Sequence, residues 1–272
     1  MAKEGKIVGF VPTMGALHQG HLSLAEKAAE DCDEIITSIF VNPTQFGPGE
    51  DLGRYPRDLE GDIKKLRSVP KVTTVFQPDP EEMYPEETHI YVTLDSLEER
   101  LREGRSRPGH FKGVATVVTK LFNIVQPHKA YFGQKDGGQC IVIKRLVQEL
   151  LINTEIKLVP TLREKDGLAM SSRNAYITPQ ERPHATVLYK ALQELHNLFV
   201  NGERKAEKLL QCGIGIISAN QNVRIIYLDL CCSHTAKQFQ GSDVIPKGVK
   251  VMASGAIMLG KTRLIDNILL EA

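Results

Sequence analysis

The chain has 272 residues, 42% of them hydrophobic and 25% charged, with a formal net charge of +1 at pH 7. That length holds one large domain or two modest ones around a real core, and the composition excludes collagen, coiled coil and extensive disorder. Near-zero charge argues against a dedicated nucleic-acid binder, and no apolar run approaches the ~18–20 residues of a membrane helix. In chain order, Lys6–Val11 (KIVGFV) reads as a buried strand ending at Pro12, and Leu22–Glu30 has helix-forming composition. Glu34–Val41 (EIITSIFV) is β-branched and apolar, a second strand, followed by a Pro/Gly-rich loop over Asn42–Pro56. Asp58–Ser68 reads as helix and Thr73–Gln77 as strand. Val117, Val118, Leu121, Phe122 and Val125 repeat at helical spacing. Ala130–Gly133 reads as a strand end, Gln139–Leu151 as helix and Glu155–Val159 as strand. Short apolar strands alternating with helices predict an α/β fold, a mostly parallel sheet with helices on both faces.

The second half reads differently. Thr178-Pro179-Gln180-Glu181 has the form of a capping box with Pro at the first helical position. Leu188, Ala191, Leu192, Leu195 and Phe199 form the apolar stripe of the helix it would open, and Gly202 would stop that helix. Glu203–Ala219 suggests another helix, and Val223–Leu230 and Val249–Leu259 read as strands. The expected division is an α/β domain at 1–161 and a smaller α+β domain at 162–272. The opening MAKEGKIVGF has neither a long apolar segment nor a small-residue cleavage site, so no secretory leader is expected. The five cysteines form no CxxC pair, which points to reduced thiols in a cytoplasmic protein.

The strongest chemical signal is Val11–His21, VPTMGALHQGH. Gly15 permits a tight turn after the strand, and a helix begins close to Gly20–His21. His18 and His21, three apart, can point the same way from one turn. A helix N-terminus offers unpaired N–H groups and partial positive charge, which suits phosphate, and two imidazoles add donors for charge building on phosphate oxygens. An isolated histidine pair is ordinarily a surface or satisfied core feature; the strand–Gly–helix context favours the functional reading. Zinc is the other functional reading, but no nearby Cys or acidic ligand completes a site.

HxGH is a form of the HIGH motif of the nucleotidylyltransferase superfamily, and PTMGALHxGH resembles the pantoate–β-alanine ligase family in particular. The resemblance continues, in family order, through SIFVNPTQF (Ser38–Phe46), RYPRDLE (Arg54–Glu60), RPGHFKGVATVVTKLFNIVQP (Arg107–Pro127), FGQKD (Phe132–Asp136), DGLAMSSRN (Asp166–Asn174) and GKTRLIDN (Gly260–Asn267). It implies a two-step, ATP-dependent, Mg2+-assisted ligation. The pantoate carboxylate attacks the α-phosphorus of ATP and pyrophosphate leaves; the amine of β-alanine then attacks the pantoyl adenylate, giving pantothenate and AMP. It further implies a cytoplasmic homodimer, with a Rossmann-like N-terminal domain, a smaller C-terminal lid domain and no nucleic-acid or membrane partner.

By the same resemblance, Met14, Gly15, Ala16, Leu17, Gln19 and Gly20 would line the ATP site, with His18 and His21 on the phosphates. Pyrophosphate is already a good leaving group, so meeting its charge matters more than donating a proton. Asn42 and Gln45 follow the second strand, where α/β sheets bind ligands, and Gln45 would hold pantoate and then β-alanine; an Asn-Pro turn accounts for Asn42 in part. Gly133, Gln134, Lys135 and Asp136 would bind ATP, Lys135 as a mobile charge and Asp136 at the ribose, with Gln139 the second pantoate amide. Met170, Ser171, Ser172 and Arg173 match the second ATP signature, whose closure would bring charge to the transition state. Leu162 would contact adenine. Asp62 lies in the acidic stretch the family uses near Mg2+, although a solvated acidic helix face explains it equally.

The chain departs from the family at two places. Gly138 stands where the family has the first of two adjacent glutamines, and Gly there costs about 1 kcal/mol against Ala in a helix. Most relatives carry a further helix before the first strand; its absence would weaken packing of that strand and removes no motif. Gly255–Thr262 (GAIMLGKT) fits the P-loop pattern, but the apolar residues between the glycines read as strand, so the match is taken as false. A nucleotidylyltransferase that keeps the nucleotide in its product is the second enzyme reading, and NPTQF and MSSRN argue against it. A tRNA-charging enzyme does not fit the short chain without basic excess. A non-catalytic binding module is the reading from another class; intact His18, His21, Lys135, Ser171, Ser172 and Arg173 disfavour it.

Overall fold

The computed structural model describes residues 5–271, so the leader expectation rests in part on residues 1–4, outside the described residues. The elements are β1 (Val8–Thr13), α1 (Gln19–Asp31), β2 (Glu34–Ile39), α2 (Leu59–Leu66), β3 (Val72–Phe76), α3 (Pro80–Met83), α4 (Ser96–Arg100), α5 (Arg102–Ser106), α6 (His110–Val125), β4 (Lys129–Gly133), α7 (Gly137–Glu149), β5 (Glu155–Val159), α8 (Val187–Val200), α9 (Ala206–Ser218), β6 (Val223–Cys232), β7 (Val251–Leu259) and β8 (Thr262–Leu270). They form two compact units: Met1–Asp95 with Arg107–Gln134 and Val142–Leu162, and Ser96–Ser106 with Lys135–Ile141 and Arg163–Ala272.

The first unit holds a parallel sheet of order β3-β2-β1-β4-β5. The chain winds outward from β1 to β3, then restarts beside β1 at β4, so the switch point lies between β1 and β4. Ligands of such sheets bind outside the carboxyl ends of the strands there. Successive strand residues point to opposite faces. Val11 and Tyr131 join the buried cluster that contains Leu22, Ala25 and Ala28 of α1. Phe10 and Phe132 meet Phe122 of α6 edge-on, at 6.3 and 6.5 Å between centroids. Helices therefore cover both faces, the expected α/β arrangement. β1 runs on through Pro12, contrary to the expected stop. β4 registers only with Gly9 and Phe10, so no strand on that side asks Pro12 for the N–H it lacks.

The second unit holds an antiparallel sheet, β6-β7-β8, with α8 packed on β7 and β8 and α9 on β6. Leu188, Ala191, Leu192, Leu195 and Phe199 of α8 are buried as the stripe requires. The box at Thr178–Glu181 forms its reciprocal bonds, Thr178 N–H to Glu181 Oε2 at 3.0 Å and Glu181 N–H to Thr178 Oγ1 at 3.3 Å. It closes a turn rather than opening the long helix, which starts at Val187. Pro183 supplies no N–H and restricts the residue before it, so a short 3-10 turn over Arg182–His184 intervenes. Within GAIMLGKT, Gly255–Leu259 belongs to β7 and Thr262 opens β8, so the P-loop match lacks its helix. No disulfide joins the five cysteines. Among the described residues no helix is long and apolar enough to cross a membrane.

Candidate active site

In the first unit, the turn after β1 is set by α1 and α2. Gly15 and Ala16 both take positive φ, +78° and +50°. Gly15 fits because a Cβ there would lie 3.0 Å from Ile39 Cγ2 and 3.1 Å from Asp62 Oδ2. The turn is fastened from α2: Leu17 N–H donates to Asp62 Oδ1 at 2.7 Å, and Lys65 Nζ donates to the Leu17 carbonyl at 2.8 Å.

His18 is the N-cap of α1 and His21 its third residue, and they cap each other. Gly20 N–H donates to His18 Nδ1 at 3.1 Å, and His18 N–H points at His21 Nδ1 at 3.4 Å. A backbone N–H only donates, so both Nδ1 atoms are acceptors and each ring's hydrogen is assigned to Nε2. The rings lie 4.1 Å apart, tilted by 37°. The backbone thus fixes two Nε2–H donors at a helix N-terminus, the end that carries partial positive charge.

Asp62, expected near metal, is fully buried. One carboxylate oxygen holds Leu17; the other is buried without a hydrogen-bond partner. No group of three or more His, Cys, Asp or Glu side chains that could hold a metal occurs among the described residues. A single unpaired carboxylate oxygen fits a Mg2+ ion that arrives on phosphates and keeps most of its shell from them and from water; it does not fit a resident protein cage.

Gln45 ends a 3-10 turn over Pro43–Gln45 that Asn42 caps. Asn42 is 1% exposed, and its amide donates to Gln45 Oε1 at 3.1 Å and to the Gly113 carbonyl at 3.2 Å. Gln45 Nε2 faces Met14 Sδ at 3.1 Å. Asn42 is thus a brace for Gln45, as an Asn-Pro turn allows.

Sequence reasoning missed what lies beneath Gln45. Arg107 forms a fork on Glu50 at 2.7 and 2.6 Å, and its Nη1 lies 3.0 Å from His110 Nε2. His110 Nδ1 lies 2.9 Å from the Gln45 carbonyl. Guanidinium only donates, so His110 Nε2 accepts and Nδ1–H donates to Gln45. Burial would raise the Glu50 carboxyl, but the Arg107 guanidinium outweighs it and holds the group below its ordinary value. Both residues fall in the family string that begins RPGHFKG, with Arg107 three residues before His110 at the start of α6, but nothing in the string names their partners.

In the first unit Gln134, just after β4, donates its N–H to the carbonyl of Val159 at the end of β5, and Leu162 is 37% exposed. The second unit carries Lys135, Asp136 and Gln139. Lys135 Nζ lies 3.6 Å from Asp136 Oδ1, and the Lys135 carbonyl accepts from Asn267 Nδ2 at 2.8 Å. Gln139 lies in the first turn of α7, half-buried. Ser171 caps a 3-10 turn over Ser172–Tyr176, its Oγ accepting from Arg173 N–H at 3.3 Å. Met170, Ser171, Ser172 and Arg173 are all partly exposed.

The sequence model of the pantoate-beta-alanine ligase family matches residues 1–269. The chain is 50% identical over 270 residues to the pantothenate synthetase of Thermotoga neapolitana, covering 99% of this chain and 94% of that one. It resembles a crystal structure of the pantothenate synthetase from Thermus thermophilus with a TM-score of 0.90 at 44% identity, covering 97% and 94% of the two chains. It also resembles the pantoate-beta-alanine ligase of Francisella tularensis complexed with beta-gamma ATP and beta-alanine, at a TM-score of 0.77 and 35% identity, covering 99% and 92%.

Proposed function

We propose, from the premise that this chain belongs to the pantoate-beta-alanine ligase family and is a ligase, that it joins pantoate to β-alanine through a pantoyl adenylate. A pantoate carboxylate oxygen attacks the α-phosphorus of ATP, the bond to the β-phosphate oxygen breaks, and pyrophosphate leaves. The β-alanine nitrogen then attacks the acyl carbon, the acyl–oxygen bond breaks, AMP leaves with that oxygen, and the amine gives up a proton.

The observation that carries this reading is the reciprocal cap of His18 and His21, which aims two Nε2–H donors from a helix N-terminus. Such donors favour charge that develops on leaving phosphate oxygens and cost no reorganisation during reaction. In this account Lys135 and Arg173 supply mobile and fixed positive charge, and Ser171 and Ser172 supply hydroxyls, to the same triphosphate. Met14, Gly15, Ala16, Leu17, Gln19, Gly20, Gly133, Gln134, Asp136, Leu162 and Met170 complete the nucleotide contacts. Gln45 and Gln139 hold pantoate, and Gln45 later β-alanine; Asn42, His110, Arg107 and Glu50 keep Gln45 in place. Mg2+, held by Asp62 Oδ2, would neutralise phosphate charge when bound. The reading extends to a cytoplasmic homodimer, for which light scattering should give twice the chain mass.

Carboxylate-labelled [18O]pantoate tests the adenylate. One labelled oxygen should appear in the phosphate of AMP; label in inorganic phosphate, or in neither product, overturns the proposal.

A further inference from the structure

The string Gly260–Asn267 takes no part in the chemistry above, yet its Asp266 and Asn267 are 5% and 3% exposed. We propose that these two residues of β8 are positioning residues: they hold the loop of Lys135 and the loop of Met170–Arg173 in one fixed relation. The inference rests on the reading of both loops as phosphate-binding.

Asn267 Nδ2 donates to the Lys135 carbonyl at 2.8 Å, and Asn267 N–H donates to Asp266 Oδ1 at 2.8 Å. Asp266 in turn receives the fork of Arg163, Nη1 to Oδ2 at 2.6 Å and Nη2 to Oδ1 at 3.0 Å. Arg163 Nη1 also donates to the Gly167 carbonyl at 3.1 Å, and its guanidinium stacks 3.8 Å over the Tyr189 ring. Arg163 pairs with Ala169 across a tight hairpin, and Met170 is the next residue. Asn174 Nδ2 ties the far side, to the Ala169 carbonyl at 3.1 Å and to Glu164 Oε1 at 2.8 Å. One dipeptide therefore connects two loops that are some thirty residues apart in sequence (135 against 167).

The approach to Lys135 needs a bare backbone. A Cβ on Gly137 would stand 2.4 Å from Met252 Sδ and 2.9 Å from Asn267 Cγ. A largely buried ion pair such as Arg163–Asp266 is weak evidence for stability, since desolvation offsets its attraction. What it supplies is a bidentate, directional contact, and a phosphate site gains from groups held to within about half an ångström.

The test compares Asn267→Ala and Asp266→Asn with Leu230→Ala, a buried change in β6, which β7 separates from β8. Lys135→Ala and Arg173→Ala run in parallel, and all are read by ATP KM, kcat, pantoate KM and amide hydrogen exchange. Asn267→Ala leaves no buried charge behind, so it stands if Asp266→Asn does not fold. The expected result is a loss of about 10–100-fold in kcat/KM for ATP, on the scale of a small misplacement, with a smaller rise in pantoate KM for Asn267→Ala, through Gln139, and pantoate KM within about twofold for Asp266→Asn. Exchange should rise around 133–139 for Asn267→Ala and around 163–174 for Asp266→Asn. If Lys135→Ala and Arg173→Ala impair ATP use while both β8 variants use ATP like the parent, the positioning role alone is overturned. If Lys135→Ala and Arg173→Ala leave ATP use intact, the phosphate-binding reading fails and the positioning role with it. Exchange rising evenly across β6–β8, with an ATP effect no larger than that of Leu230→Ala, marks simple destabilisation and also overturns it.

Discussion

The histidine turn of the first unit and the lysine and serine loops of the second are both proposed to meet ATP, but they are held in different ways. His18 and His21 cap each other within a single turn, and their donors are set by backbone N–H groups no more than three residues away. Lys135 and Met170–Arg173 are held through side chains of Asn267 and Asp266, over 132 and 103 residues of sequence. The mutual cap of the two histidines is set within its own helix, with the preceding turn fastened from α2. A site built by distant contacts depends on the whole sheet and can be tuned from it.

The largest effect should come from His21→Ala, which removes one preorganised donor. The adenylation rate should fall by roughly 10²–10³-fold in ATP–pyrophosphate exchange. A variant that keeps nearly full rate would break the local half of the comparison. His18→Asn sharpens it. Asn caps helices well, so urea unfolding should change by under about 0.5 kcal/mol, while loss of the Nε2–H donor should still cost about 10²-fold in exchange. Parallel losses of stability and rate would mean that the histidine serves the helix alone.

Asp62→Ala addresses the fastening of that turn from α2. Hydrogen bonds to charged groups contribute about 1.5–3 kcal/mol, so urea unfolding should show a loss of about 2 kcal/mol; an unchanged midpoint would deny Asp62 its structural role. The smallest effect is the acid response of the brace under Gln45. The Glu50 carboxyl lies below its ordinary 4.5 when folded. Its contribution to stability is then complete above about pH 4.5 and is lost as pH falls through the lower, folded value. Arg107→Ala should flatten stability against pH in that acid window, and a parent-like slope would contradict the pairing.

The same division explains what the sequence made legible. Short apolar runs such as that of β1 (expected at Lys6–Val11, found at Val8–Thr13), the stripe from Leu188 to Phe199 and the turn at Gly15 are local patterns, and each appears in the structure. α8 starts later than the capping box at Thr178–Glu181 predicts: the box does form, and Pro183 further along delays the helix to Val187. His110 and Asp266 carry no local signature of their roles, because their partners lie 65 and 103 residues away. Asp62 reads as one acid in an acidic run, and only the fold reveals that it is buried and turned onto Leu17. Nor does any composition shift signal that Ser96–Ser106 and Lys135–Ile141 pack with the second unit.

The central claim is that one small acid is activated by a nucleotide before any amine arrives. Exchange of labelled pyrophosphate into ATP, followed with and without pantoate and with β-alanine omitted, measures that directly. Exchange that appears only when pantoate is present is the predicted result; exchange that ignores pantoate, or that demands β-alanine, would contradict the account.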